Sequence, residues 1–391
     1  MEPTKSTKNK FEDQEKLFAP ESDDEPSSLD PSQRKLITQP VDLLVRTIVE
    51  EIDDQTLNPQ PSFQRGYVWD DTKASALIES LLLNIPIPVC YFSDEENGKQ
   101  IVIDGHQRLF SIWRYVRNHF ALKGLKQIKE LNGIKFIDLS EKDQRIIQGR
   151  TIRCIVITQD SNPELKFEVF ERLNTGAMQA TDQEIRNAVY HGDFNDLLKT
   201  LASLDIWLNV LGKKKLDIRM RDEELILRFF AVHENYLKYQ APLRVFLNEF
   251  IEGKTYINPK SVKRQRIKMS EEQKKYYSDL FSSTMEKVLI VFKDHSFRAY
   301  LEGKWERQVN KALFDVITLV FSKIPNEQIE KNASLIDSTL IKLFVDKEFL
   351  EATSGSKAHK SSFAKRIKLF SQAMANIGMN TEIHTSFPEL D

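Results

Sequence analysis

The sequence predicts an α+β fold in two parts, a small mixed sheet-and-helix domain over residues 38–190 and an all-helical domain over 191–380. Three observations carry the prediction. Short apolar or β-branched runs, among them Lys99–Ile103 and Thr151–Thr158, alternate with stripes of helical period up to about residue 190. Beyond that point the period is helical almost throughout, with stripes at Leu225, Phe229 and Phe230 and across 273–294, 310–323, 335–349 and 361–376. A length of 391 residues, 40% hydrophobic and 29% charged, is also enough for two or three cores.

Residues 1–37 read as a disordered arm and 381–391 as a tail. Between Leu17 and Gln33 the arm carries Glu21, Asp23, Asp24, Glu25 and Asp30 with no lysine or arginine, and so little apolar surface cannot offset its ordering entropy. Leu43, Leu44, Ile48 and Ile52 recur at helical or short-strand spacing, and Asn58-Pro59-Gln60-Pro61 then imposes an extended segment before Phe63. Asp70-Asp71-Thr72 offers caps for a helix over 72–84, whose Ala74, Leu77, Ile78, Leu81 and Leu82 share one face and which Asn84 ends. Pro86 and Pro88 frame a strand through Phe92, which the prolines assign to a sheet edge. Asn97-Gly98 supplies a tight hairpin into the next strand. That strand runs into Asp104-Gly105, after which Leu109, Ile112, Trp113 and Val116 define the face of a helix. Leu165, Val169, Phe170 and Leu173 mark another helix, stopping near Asn174-Thr175-Gly176. Thr181 and Glu184 form a capping box for the helix of Ile185, Ala188 and Val189.

Composition excludes several classes. Lysine plus arginine total 56 against 58 acids, a net charge of -2, which argues against a uniformly basic nucleic-acid protein. The balance is a cancellation, because residues 1–40 hold nine acids and six bases and leave the rest at +1. Lys260, Lys263, Arg264, Arg266 and Lys268 fall within nine residues that contain no acid. This run is a candidate DNA contact acting through counterion release, or a solvated loop. No apolar run approaches the ~18 residues of a spanning helix and no signal-peptide stretch opens the chain, so a cytoplasmic protein without membrane contact is expected. Cys90 and Cys154, the two cysteines, each stand alone in an apolar run and read as buried free thiols; no metal site is expected.

The run Ile101-Val102-Ile103-Asp104-Gly105-His106-Gln107-Arg108 is the most informative for chemistry. A strand ending in Asp-Gly and opening a helix turns the first helical N–H groups toward the turn, where a phosphate can sit and glycine lets it approach. Asp104 can cap the helix, Gln107 can donate and accept, and Arg108 can grip phosphate oxygens with two N–H groups. The same residues serve equally as an ordinary turn and cap. Phe63-Gln64-Arg65-Gly66-Tyr67-Val68-Trp69 sets a second Gln-Arg pair beside aromatic rings, readable as a phosphate and base contact or as Trp69 stapling the next helix. Asn174, Thr175 and Gly176, followed by Glu184, Arg186 and Asn187, are a third polar cluster that helix termination alone would also explain.

Four runs in order then resemble one family: PSFQRGYVWDDTKASALIESLLLNIPIPVCYF, IVIDGHQRLFSIW, FERLNTGAMQATDQEIRNAVY and RMRDEELILRFFA. Over roughly residues 40–375 the chain is similar to the N-terminal domain of GmrSD-type modification-dependent restriction enzymes. Members usually read D-G-Q-Q-R where this chain has His106 at the first glutamine. The resemblance implies a fold related to ParB and sulfiredoxin and the binding and hydrolysis of nucleoside triphosphates in defence against foreign DNA. It implies that Asp104, Gly105, Gln107 and Arg108 form the core of the nucleotide site, with Asp104, His106, Gln107 and Arg108 as the catalytic candidates. By the same token Gln64 and Arg65 approach the phosphates, Asn174, Thr175 and Arg186 line the cleft, and Trp69 is wall or core.

Residues 104–108 hold no cysteine, which excludes sulfiredoxin-type reduction. His295, His359 and His384 are isolated, so no His-Asn-His-type nuclease is expected in this chain. The expected protein is therefore a sensor or regulatory subunit of a DNA-directed defence system that binds and hydrolyses a nucleoside triphosphate, with Mg2+ as a candidate companion ion. DNA and a separate nuclease are its expected partners. The alternative is a non-enzymatic ParB-like DNA-binding or adaptor module, and a self-sufficient nuclease ranks third.

Overall fold

The structure is a computed structural model that describes residues 35–59, 67–95, 98–173, 181–217, 219–257, 265–353, 359–379, 381–385 and 387. Contacts divide the chain into two compact units that meet between Val189 and Tyr190 in the sequence. The fold class is α+β, as the alternation of periods predicts.

The first unit is built on a mixed five-stranded sheet of β1 (Thr38–Leu44), β2 (Leu57–Asn58), β3 (Cys90–Asp94), β4 (Gln100–Asp104) and β5 (Thr151–Ile157), in the order β1-β5-β3-β4-β2. Strand β1 runs antiparallel to β5 from Thr38 opposite Ile157 to Leu44 opposite Thr151, β3 runs parallel to β5, and β3 and β4 form the antiparallel hairpin. The sequence expectation for β3 is corrected here: it lies in the middle of the sheet. Pro86 and Pro88 precede Cys90 and sit outside the ladder, so no strand donor is lost. The last residues of the expected arm are tied as well, since Asn162 donates to the Lys35 carbonyl, Thr158 to that of Ile37, and the Ile37 N–H donates to Ser161 Oγ. Residues 1–34 lie outside the described residues.

Three helices share one core with the sheet: α1 (Val45–Asp53), α2 (Asp71–Leu82) and α3 (His106–Val116). Val45, Ile48, Ala74, Ile78, Leu109, Ile112 and Tyr115 pack with Cys90, Phe92, Val102 and Cys154. Helix α2 starts where its cap predicts, with Asp70 Oδ1 accepting the Lys73 N–H at 2.8 Å. Glu79 on α2 accepts the N–H groups of Lys126, Gln127 and Ile128 at 2.9, 2.7 and 3.2 Å, pinning the chain that follows α3. Helices α4 (Glu141–Gln148), α5 (Pro163–Leu173) and α6 (Asp182–Val189) complete the unit. The capping box forms as read: Thr181 N–H donates to Glu184 at 2.6 Å and Glu184 N–H to Thr181 Oγ1 at 3.2 Å.

The second unit holds α7 (Asp193–Ala202), α8 (Asp205–Leu211), α9 (Arg221–Asn235), α10 (Leu243–Thr255), α11 (Glu271–Phe292), α12 (Lys311–Phe321), α13 (Asn326–Leu343), α14 (Lys347–Thr353) and α15 (Lys360–Asn376). It is not wholly helical. Tyr256–Ile257 pairs with Gln265–Arg266 and Tyr300–Leu301 with Lys304–Trp305, ladders of two residues each that are too short to leave a period in the sequence. At its centre Asp315 on α12 accepts both Arg228 from α9, through Nε and Nη2, and Arg366 from α15 at 2.8 Å; all three side chains are at most 1% exposed. The RMRDEELILRFFA run supplies Arg228 to this triad and Asp222 to a second buried group, where Asp222 accepts the Asp217 N–H and Lys213 reaches Asp217 at 3.0 Å. Burial pushes the Asp222 carboxyl above its ordinary range. Among the described residues no helix is long and apolar enough to cross a membrane.

Candidate functional site

The junction between β4 and α3 places five of the predicted residues, Asp104 to Arg108, side by side. Gly105 is the N-cap of α3 with φ of 101°, and as glycine it brings no capping side chain of its own. A Cβ at this position would lie 2.5 Å from Cys90 Sγ, so glycine is required both by its backbone conformation and by the close passage of β3. Asp104 does not cap the helix. Its carboxylate turns to Arg108, which donates from Nη2 at 2.5 Å, because the left-handed glycine carries the chain past the position from which residue 104 would reach the first turn.

Arg108 also reaches the chain ahead of β3. Its Nη1 donates to the Pro88 carbonyl and both Nη atoms approach the Val89 carbonyl at 3.4 Å. The guanidinium thus closes the turn on three sides and leaves the more exposed Asp104 at the rim, their side chains being 13% and 43% accessible. Gln107 Oε1 accepts two backbone donors, Val68 N–H at 3.0 Å and Trp69 N–H at 3.2 Å, and its amide nitrogen lies 2.7 Å from His106 Nε2.

Around this centre the sequence reading left out two partners, Ser111 and Arg114. Ser111, one turn beyond Gln107, donates to the Gln107 carbonyl at 2.7 Å and so receives the Tyr67 hydroxyl at 2.9 Å. Arg114 lies over the Tyr67 ring at 4.6 Å and pairs with Asp71 at 3.1 Å. The spacing of Gln107, Ser111 and Arg114 along one helix face is the signal that pointed to them. Trp69 is half-buried with the Lys73 ammonium over its ring at 4.5 Å, which joins the staple reading to a place beside the turn.

The remaining predicted residues fall elsewhere or outside the described residues. Arg186 on α6 is 1% exposed, beside Gln183 at 3.4 Å, Asp182 at 3.7 Å and the Phe167 ring. Gln64, Arg65, Asn174 and Thr175 lie outside the described residues, as do Lys260, Lys263 and Arg264 of the basic run. Of that run's other members, Lys268 is exposed and Arg266 donates to the His191 carbonyl at 2.9 Å and approaches His191 Nε2. Cys90 and Cys154 are free, buried and opposite one another on parallel strands; burial raises the Cys90 thiol to about 11 and the Cys154 thiol to about 12. Among the described residues no group of three or more His, Cys, Asp or Glu side chains is placed to hold a metal ion.

A comparison with curated proteins gives no match. Residues 45–191 match the family described as GmrSD restriction endonuclease, N-terminal domain, and this stretch spans nearly all of the described sheet unit and stops within two residues of its end. The RMRDEELILRFFA run lies beyond it, in the helical unit. Three of the four runs, and the whole Asp104–Arg108 turn, are inside residues 45–191, the stretch that carries the match to the GmrSD N-terminal domain family.

Proposed function

We propose that the sheet unit binds a nucleoside triphosphate at the β4–α3 turn, and that the chain works as a sensor or regulatory component of a DNA-directed restriction or defence system whose cutting activity resides in another protein. The observation that carries the reading is the Gly105 turn: a left-handed glycine opening a helix, with a guanidinium held beside it. The restriction context is supported by the family match. Hydrolysis of the nucleotide, Mg2+ as companion ion, a ParB/sulfiredoxin kinship of the sheet unit, and DNA contact by the basic run are parts of the same proposal.

An incoming phosphate competes for Arg108 with the Asp104 carboxylate and the Pro88 and Val89 carbonyls, so this arginine is preorganised and not free. Charged hydrogen bonds contribute about 1.5–3 kcal/mol each, and Arg108→Ala is expected to weaken nucleotide binding on the order of tenfold to a few hundredfold. The direct test is a thermal-shift panel of ATP, GTP, CTP and UTP with Mg2+, since a ligand at 100 times its Kd stabilises by about 2.7 kcal/mol. A shift with one or more nucleotides that Arg108→Ala removes supports the site. No shift with any of them sinks it and leaves the adaptor reading. Phosphate release measured with and without duplex DNA then separates a hydrolysing sensor from one that only binds.

A further inference from the structure

Residues 67–69 lead into α2 beside the β4–α3 turn, and Trp69 among them is one of the predicted nucleotide contacts. Contacts from α3 hold this stretch in place. Val68 and Trp69 both donate their backbone N–H groups to Gln107 Oε1. One turn along the same helix, Ser111 receives the Tyr67 hydroxyl, and one turn further Arg114 covers the Tyr67 ring. Three successive turns of α3 therefore grip three successive residues, 67, 68 and 69.

The two backbone donors also settle the orientation of the Gln107 amide. With its oxygen facing two N–H groups, the NH2 end is the one that meets His106, since the flipped amide would set donor against donor. His106 Nε2, 2.7 Å away, must then accept, which puts the imidazole proton on Nδ1. Resting on the nucleotide reading above, we propose that Gln107 is a positioning residue and not a phosphate ligand: it fixes residues 67–69, and with them the Trp69 wall of the proposed site, against α3, while His106 keeps its amide turned to do so.

Amide hydrogen exchange, nucleotide affinity and 15N NMR of the His106 ring, measured on the full chain, test this together. Gln107→Leu is expected to speed exchange at Val68 and Trp69 and to weaken binding on the order of tenfold, the two lost hydrogen bonds being partly exposed. Gln107→Glu keeps two acceptor oxygens and is expected to restore protection of both amides, whereas a purely steric role for residue 107 would not distinguish the two variants. The ring nitrogens of the wild-type protein are expected to report a proton on Nδ1 and none on Nε2. Slow exchange at Val68 and Trp69 in Gln107→Leu, or a proton on Nε2, overturns the clamp whatever the nucleotide result. Fast exchange with unchanged affinity overturns the link to the ligand and leaves the nucleotide site standing. A wild-type protein that binds no nucleotide overturns the function proposed above and this role in it, while the two amides still decide whether Gln107 holds the segment.

Discussion

Each unit holds an aspartate–arginine cluster, and the two are built to opposite ends. In the sheet unit Asp104 and Arg108 are one turn apart on the junction, partly exposed, in a single contact at 2.5 Å. In the helical unit Asp315 takes a two-pronged contact from Arg228 and a further one from Arg366, on three helices, with no side chain above 1% exposure. Water screens the first pair, so holding it together costs little and exchanging it costs little. The second has given up nearly all hydration, and each ion depends on the others. An ion pair that a ligand can replace has to look like the first, and one that fixes where three helices cross has to look like the second.

The largest expected effect comes from breaking the buried cluster. Asp315→Asn leaves two guanidinium groups facing each other without a counter-charge, and a loss of about 3–5 kcal/mol is expected in urea unfolding. A loss under 1 kcal/mol would erase the contrast between the two clusters. Next is the turn backbone: Gly105→Ala meets both the positive φ and Cys90 Sγ, and a cost of about 1–3 kcal/mol from strain alone is expected. Adding Cys90→Ala should recover the part due to the clash and leave the part due to φ, which the two thermal midpoints separate.

Glu79 is an intermediate case, a carboxylate held by three backbone N–H groups in place of a guanidinium. Desolvation alone would raise its pKa, but those donors outweigh it and hold the carboxyl below its ordinary value. A lowered folded pKa means that its contribution is present above the unfolded value near 4.5 and fades as the pH falls through the folded one. Glu79→Gln should therefore destabilise at pH 7 by about 1.5–3 kcal/mol, and by progressively less in denaturation curves taken below pH 4.5. Smallest of all is the stability cost of Arg108→Ala, expected at about 1–1.5 kcal/mol by the same measurement while nucleotide affinity drops. A large stability loss there would move Arg108 into the structural class and weaken its assignment to a ligand.

What the sequence made legible was local. Asp70, the Thr181–Glu184 box and the Asp104-Gly105 junction each act within four residues, and each lies where its pattern places it. The aspartate at that junction was misread because a cap and an i to i+4 ion pair ask for the same residue at the same place, and only the backbone of Gly105 decides between them. The prolines before β3 misled for a related reason: proline forbids a ladder donor but says nothing about whether the ladder has yet begun. Contacts between distant segments left no trace. Arg228, Asp315 and Arg366 are separated by 87 and 51 residues, and Gln107 meets backbone N–H groups 38 and 39 residues away, where any residue except proline would present the same donor.

The facing cysteines have a practical consequence. Both thiols of the chain belong to the sheet unit and none to the helical one, and in the folded state burial keeps them far from the thiolate form. Alkylation can therefore reach them only when the sheet opens, so a timed pulse of a thiol reagent records the opening of that unit alone. The four tryptophans are divided, Trp69 and Trp113 in the sheet unit and Trp207 and Trp305 in the helical one, so ring fluorescence reports both units at once. Set beside that mixed signal, the thiol pulse picks out the sheet unit's share of an unfolding transition without cutting the chain.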